Sequence, residues 1–238
     1  MRTLKFVIIG VVFLSIFLTF GGSPNENKTI IEPEVENSNT PVEDNETYST
    51  DVHDEPKQTE FSDEARIYYK EIALKSEFDK NYTQKKWGTD IKIFVKGSKV
   101  DYLMDELKKI CAELNNLMTG VNLVIVGDES QSNFIIYLGG QEGYHQICPS
   151  SIPYTENNLG LFVLDHSGNQ FTNGSMYVDI NRVKTVKAEK HLLREELTQS
   201  IGLPNDSNMY PESIFYEDWS ETTEYTELDK QVIQMLYN

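Results

Sequence analysis

Apolar positions change period several times along this chain, and each change marks an element. Between Phe61 and Phe78, Ile67, Ile72, Leu74 and Phe78 sit behind Ser62, with acids in the first turn, which predicts a capped helix. Asp90–Gly97 (DIKIFVKG) alternates as a strand. Val100, Leu103, Leu107, Ile110, Leu114 and Leu117 then recur at helical spacing, a long helix that Gly120 stops. Val121–Asp128 and Ser132–Gly140 read as two further strands. An irregular stretch with Tyr144, His145, Cys148 and two prolines follows. Leu159–Asp165 and Ser175–Asn181 are two more strands, and their turn-rich connection HSGNQFTNG predicts a hairpin. A helix over about Lys184–Gly202 and a C-terminal helix over Thr226–Tyr237 complete the pattern. Strands followed by helices in this order predict an α+β domain, a mixed sheet covered by a long helix, a second helix near residue 195 and a C-terminal helix.

Everything ahead of Phe61 has a different character. Arg2 and Lys5 precede an apolar run from Phe6 to Phe20, the layout of a signal-anchor or a signal peptide over residues 1–22. Phe20 spoils a small-x-small cleavage site, which favours an anchor. No cysteine follows the run, which excludes lipid attachment there. The run is short against the roughly 20 residues a spanning helix needs, though Leu4 and the glycines extend it. With its basic flank held inside, the expected location is the cell membrane with the domain outside, or secretion if the signal is cleaved. Residues 23–60 are acidic and poor in aromatics, so they are expected to form a disordered linker. The ordered domain is expected over residues 61–238.

Charge narrows the partners. The chain carries 38 acidic and 21 basic side chains, a formal net charge of −17. Eleven acids and two bases fall between Gly21 and Glu60, so about half of the excess lies in the linker. Such a chain would repel phosphate, which excludes nucleic acid as the expected partner. Cys111 and Cys148 suit an exported setting. A disulfide between them and two unrelated buried thiols both stay open.

The chemistry concentrates in Glu195–Asp206, EELTQSIGLPND. Laid on the pattern H-E-x-x-H-x-x-G-x-x-H of a zinc-protease helix, its defined positions fall on Glu195, Glu196, Gln199, Gly202 and Asn205. The glutamate and the glycine match, and none of the histidines does. On a helix, His191, Glu195, Thr198, Gln199 and Gly202 share one polar stripe opposite Leu193, Leu197 and Ile201. The ordinary reading of such a stripe is a solvated face. The alternative is the floor of a cleft with Glu196 beside it. Downstream, Ser213-Ile214-Phe215 resembles the methionine turn of the metzincin proteases in its S-I-M form, with Phe in place of Met.

The run REELTQSIGLPNDSNMYPESIFYEDW, followed by TELDKQVIQMLY, resembles the bacterial "domain of unknown function 2927" family. Glu195, Glu196, Gln199, Gly202, Leu203, Asn205 and Asp206 carry its core motif. Ser213, Ile214 and Phe215 carry its S-I-F turn, and Leu228, Asp229, Leu236 and Tyr237 its terminal helix. The resemblance implies an exported bacterial domain with a zincin (metzincin)-like fold and no established activity. Gly202, Ser213, Ile214 and Phe215 then have structural roles.

Zinc favours His nitrogen and Cys sulfur, whereas Glu195, Gln199 and Asn205 offer one carboxylate and two amides. No zinc is therefore expected. Asp206 in place of Asn205, with Glu196, would make an oxygen set suited to Ca²⁺, Mg²⁺ or Mn²⁺, so an unidentified divalent metal stays open. His191 lies one turn ahead of Glu195 and is expected to pack at the cleft rim, while His145 and His166 are loop alternatives. Without metal, Gln199 and Asn205 are expected to donate to Glu195 and close the floor. Two functions follow. The first is a non-catalytic pseudo-protease module that binds a peptide, protein or cell-wall ligand at the cleft. The second is an atypical metal-dependent hydrolase with Glu196 as general base.

Overall fold

The computed structural model describes residues 7–9, 60–75 and 82–238. Most of the segment expected as an anchor, and nearly all of the expected linker, lie outside these residues. Val7–Ile9 is the exception. It forms a strand, β1, where a helix was expected, in keeping with the strand preference of β-branched residues.

The remaining strands are β2 (Lys86–Trp87), β3 (Ile91–Gly97), β4 (Leu123–Ile125), β5 (Phe134–Leu138), β6 (Gly160–Ser167) and β7 (Gln170–Val178). The helices are α1 (Asp63–Ala73), α2 (Asp101–Leu117), α3 (Gln141–Ile147), α4 (Ile152–Thr155), α5 (Val186–Ser200) and α6 (Glu227–Tyr237). The sheet runs β1-β6-β7-β5-β3-β4, with β2 added beside β7. Its ladders are parallel except for the β6–β7 hairpin, so the sheet is mixed, as the element order predicted.

Alternation along the strands sets the two faces. Phe162 and Leu164 of β6 join Phe134, Ile136, Met176 and Val178 in the main core. The intervening Leu161, Val163 and Tyr177 enter a second cluster with Tyr144 and Cys148. Helices α2 and α5 pack side by side, with α5 against β6 and β7. Leu193, Leu197 and Ile201 of α5 lie in the main core, the face their spacing selected.

Side chains cap three helices, Ser62 of α1 as its sequence predicted. Ser62 Oγ accepts the Ala65 N–H at 3.1 Å, and Thr185 Oγ1 accepts that of Ala188 at 3.1 Å. Thr226 and Asp229 close a capping box at the start of α6.

Two readings change and one left open is decided. The stretch taken as irregular is mostly helical, as α3, a 3-10 turn (Pro149–Ser151) and α4. Burial of Tyr144 against Tyr177, ring centroids 4.7 Å apart, drives α3 inward. Pro149 and Pro153 fall in first turns, where no backbone N–H is needed. The hairpin strands also extend through most of their turn-rich connection, leaving Gly168 and Asn169 between them. Gly168 has φ +58°, and a bulge follows Asp165. Finally, Cys111 and Cys148 are separate free thiols. Cys111 belongs to the main core and Cys148 to the second cluster, and burial pushes the Cys111 thiol up to about 12.

Candidate functional site

Helix α5 sits between the sheet and the chain that follows it. The polar stripe is covered: Glu195 is 0%, Glu196 1%, Gln199 2% and His191 3% exposed. A solvated face is thereby ruled out. Groups so placed need partners, because a buried polar atom without one costs about 1–3 kcal/mol.

Those partners differ from the expected network. Glu195 does not gather Gln199 and Asn205. Its Oε2 lies 3.2 Å from His191 Nε2, one turn earlier on the same helix. His191 Nδ1 is 2.6 Å from the Thr222 carbonyl, which can only accept, so Nδ1 carries a proton. Ser220 Oγ stands 3.5 Å from Nε2, and the Trp219 ring is edge-on at 6.4 Å. His191 thus fastens the 219–222 segment to the helix.

Gln199 Nε2 donates to Asp206 Oδ1. Asn205 turns away to the backbone, donating to Glu71 O at 3.1 Å and Asp206 O at 2.8 Å. Its own N–H meets Ile72 O at 3.2 Å, so Asn205 fastens α1 beside the end of α5. Gly202 ends the helix at φ +126°, with Leu203 N–H returning to Gln199 O at 3.0 Å. A β-carbon there would lie 2.5 Å from Lys85 O. Both the backbone angle and the close approach therefore select glycine.

Glu196 leaves the helix toward the start of β6. A β-carbon on Gly160 would come within 2.5 Å of Glu196 Oε1 and 2.8 Å of its Cγ. Burial raises the Tyr144 and Tyr177 hydroxyls, and the Glu196 carboxylate adds to both shifts. Glu195 and Glu196 thus face different surroundings, as adjacent helical positions should.

Ser213, Ile214 and Phe215 are all fully buried. Ser213 Oγ donates to Asp229 Oδ1 at 2.5 Å and accepts from Tyr68 Oη at 2.8 Å and Phe215 N at 3.0 Å. Asp229 Oδ2 accepts the N–H of Ile214 at 3.3 Å and of Thr226 at 2.9 Å. The turn, α1 and α6 meet at this knot.

A second buried centre had no signal of its own in the sequence. Arg194, fully buried, donates to Glu113 and, at 2.8 Å, to Glu106, both on α2. Its guanidinium lies 4.6 Å from the centre of the Tyr225 ring, and the Tyr225 hydroxyl meets Thr198 Oγ1 at 2.6 Å. Arg194 falls on α5 between the apolar face and Thr198 of the stripe, a position that local spacing does not single out.

These donors do not fit a metal. Gln199 and Asp206 bond each other, and Asn205 is committed to backbone carbonyls. Among the described residues no three His, Cys, Asp or Glu side chains converge as an ion-binding set. His145 contacts Thr155 at 2.6 Å, and His166 lies on β6 beyond the bulge.

The model of a family described as "protein of unknown function (DUF2927)" matches residues 62–238. The chain belongs to that family. No curated protein matches it. Two solved structures of myroilysin are similar at 12% identity. One has a TM-score of 0.43 over 68% of this chain and 89% of that one. The other has 0.42 over 64% and 82%.

The DUF2927 motifs acquire distinct tasks in this geometry. Gly202 and Asn205 join the end of α5 to the chain around it, at Lys85 and Glu71. The S-I-F turn is fastened to the terminal helix through Asp229. The glutamate pair and Gln199 join His191 and Thr198 as the buried polar groups of the stripe.

Proposed function

We propose that this chain is an exported, membrane-tethered, zincin-like module that binds an extended ligand without hydrolysing it. One observation carries the reading: the side chains at the three histidine positions of the zinc pattern have other work. Glu195 stands against His191, Gln199 donates to Asp206, and Asn205 holds backbone carbonyls. Gln199 and Asn205 brace the end of α5 against neighbouring chain, and Glu195 meets the histidine that holds the Thr222 carbonyl, which makes a rigid floor. Retention of Glu196 and Gly202 in register supports the zincin-like relation, because the pattern changes only at the metal-binding positions. Export rests on the N-terminal sequence, Arg2 and Lys5 ahead of the apolar run. No helix among the described residues is long and apolar enough to cross a membrane.

A second reading, a hydrolase with Glu196 as general base, draws on the buried position of that carboxylate beneath Gly160. It lacks a metal-ligand set among the described residues, and no chemical step is assigned to it.

Metal analysis and peptidase assays on the purified full chain separate the two. The expected results are no stoichiometric zinc and no peptide hydrolysis that depends on Glu196. Stoichiometric metal lost together with thermal stability in Glu195→Ala would overturn the binding-module reading. So would peptide cleavage abolished by Glu196→Gln.

A further inference from the structure

We infer that a pocket at the turn end of the β6–β7 hairpin binds a neutral saccharide, the end of an N-acetylated glycan. The inference goes beyond the binding-module reading and holds whether or not the motif helix takes a ligand. Gly160 pairs with Val178 at one end of the hairpin, and Ser167 with Gln170 at the other. The pocket lies at the second end, between α1, β2, the hairpin turn and the last turn of α6, with a volume of about 380 Å³. No residue of the polar stripe or of the S-I-F turn lines it.

That volume is near the lower limit of small-molecule sites, roughly 300–1,000 Å³, so it suits the end of a glycan rather than a long stretch of one. The fold fixes its walls. Trp87 Nε1 donates to Ser200 O at 3.0 Å and Tyr237 Oη to Ile201 O at 2.8 Å, which ties β2 and α6 to the end of α5. The Lys86 N–H meets Asn169 O at 3.2 Å, so the hairpin turn is held beside β2. A β-carbon on Gly88 would stand 2.7 Å from Gln170 Cδ, and glycine there leaves the Gln170 amide its place. Walls held in this way need little ordering when a ligand binds.

The lining selects the ligand. Gln84, Asn169, Gln170 and Asn238 each present an amide, with an acceptor oxygen and two N–H donors. Sugar hydroxyls and an acetamido group donate and accept alike, and amides match both. Tyr69 Oη accepts from Gln84 Nε2, which leaves its own O–H to donate. Burial raises that hydroxyl, against the lowering influence of Gln84, so it keeps its proton. The Tyr69 ring, Met235 and Leu236 give apolar surface for the C–H face of a sugar and for an acetyl methyl. Charge is nearly absent. The chain has 38 acidic residues, yet among the described residues no carboxylate side chain lines this pocket. Its one cationic side chain, Lys86, is engaged by the wall, with Nζ 3.0 Å from Leu236 O and 5.4 Å from the centre of the Tyr237 ring.

Saturation-transfer NMR on the full chain tests this, with tri-N-acetylchitotriose as the probe. Saturable transfer is expected, strongest at the acetyl methyl protons, with a Kd on the order of 1 mM. Asn169→Ala combined with Gln170→Ala should weaken binding at least about tenfold. Both side chains are exposed, so the fold should survive their loss. Trp219→Ala removes an exposed aromatic ring outside the pocket and should leave binding unchanged. Absence of transfer at about 10 mM probe overturns the inference, as does equal affinity in the double variant or loss of binding in Trp219→Ala. Cellotriose, which lacks the acetamido group, should bind more weakly, and equal affinity would overturn the N-acetylated class. Tighter binding of a sulfated trisaccharide would overturn the neutral one. None of these results depends on metal content or peptide hydrolysis, so the two proposals fail separately.

Discussion

Ser213 Oγ and Asp229 Oδ1 are 2.5 Å apart, a hydrogen bond that joins the S-I-F turn to the first turn of α6. The same carboxylate caps α6 through Thr226 and holds the Ile214 N–H, so one buried acid organises two segments sixteen residues apart. Tyr68 of α1 adds a third segment through Ser213. The site helix is not part of this knot, but the chain that covers α5 leads into it.

Asp229→Ala should therefore destabilise the fold by about 3 kcal/mol, since it leaves buried donors unsatisfied and removes a cap. Chemical denaturation of the full chain measures it. Ser213→Ala should cost about 1–2 kcal/mol, because the carboxylate keeps its backbone donors. A loss below about 0.5 kcal/mol in Asp229→Ala would show that the knot does not hold these segments.

Burial raises the Asp229 carboxyl above its ordinary 3.8, against the lowering influence of Ser213, Thr226 and Ile214. The sign follows from linkage. Between the unfolded value and the raised folded value, the folded chain binds more protons than the unfolded one. This contribution to stability is thus full below the unfolded pKa and is lost as pH rises through the folded pKa. Relative to Asp229→Asn, the wild type should lose stability as pH is raised through that window and then level off. Denaturation midpoints for both chains from pH 3.8 upward give the difference. A difference that grows with pH would contradict the assignment.

Gly202 is the position of the motif helix least able to accept a side chain. Its φ of +126° is strained for any L-residue, and a β-carbon would stand 2.5 Å from the Lys85 carbonyl. Gly202→Ala should cost about 2–4 kcal/mol, as strain and collision with backbone act together. Gly120, with φ +81° and nothing near its absent β-carbon, is the control. Gly120→Ala carries the dihedral strain alone and should cost about 1 kcal/mol. Equal losses in the two variants would mean that the Lys85 contact is irrelevant.

How far the site could be read from the sequence depends on which contacts are local. Ser62 announced its helix because a cap acts within three residues. The apolar face of α5 was equally plain, since Leu193, Leu197 and Ile201 share one side of a helix by spacing alone. The same spacing grouped His191, Glu195 and Gln199, but nothing local could say that residues 206–225 would cover them. Partners from distant chain decided the outcome: Thr222 for His191, Asp206 for Gln199, the Glu71 carbonyl for Asn205. Arg194 shows this most clearly, since Glu106 lies 88 residues away on α2. Strand β2, at two residues, is too short to have a period.

The approach of Gly160 to Glu196 makes the last prediction. Gly160 opens β6, and the Glu196 side chain fills the space where a β-carbon would sit, with Oε1 at 2.5 Å, Cγ at 2.8 Å and Cδ at 3.0 Å. A flexible, exposed glutamate would swing aside at little cost, but Glu196 is 1% exposed and has no open solvent to enter. Gly160→Ala should thus behave as overpacking and cost about 1–3 kcal/mol. The cause can be separated from a backbone effect by a double-mutant cycle. Glu196→Ala removes the three atoms nearest the new methyl, so Gly160→Ala introduced in that background should cost at least about 1 kcal/mol less than in the wild type. Strict additivity would mean that Gly160 is required by the strand itself. Strong coupling would fix the Glu196 carboxylate beneath the start of β6.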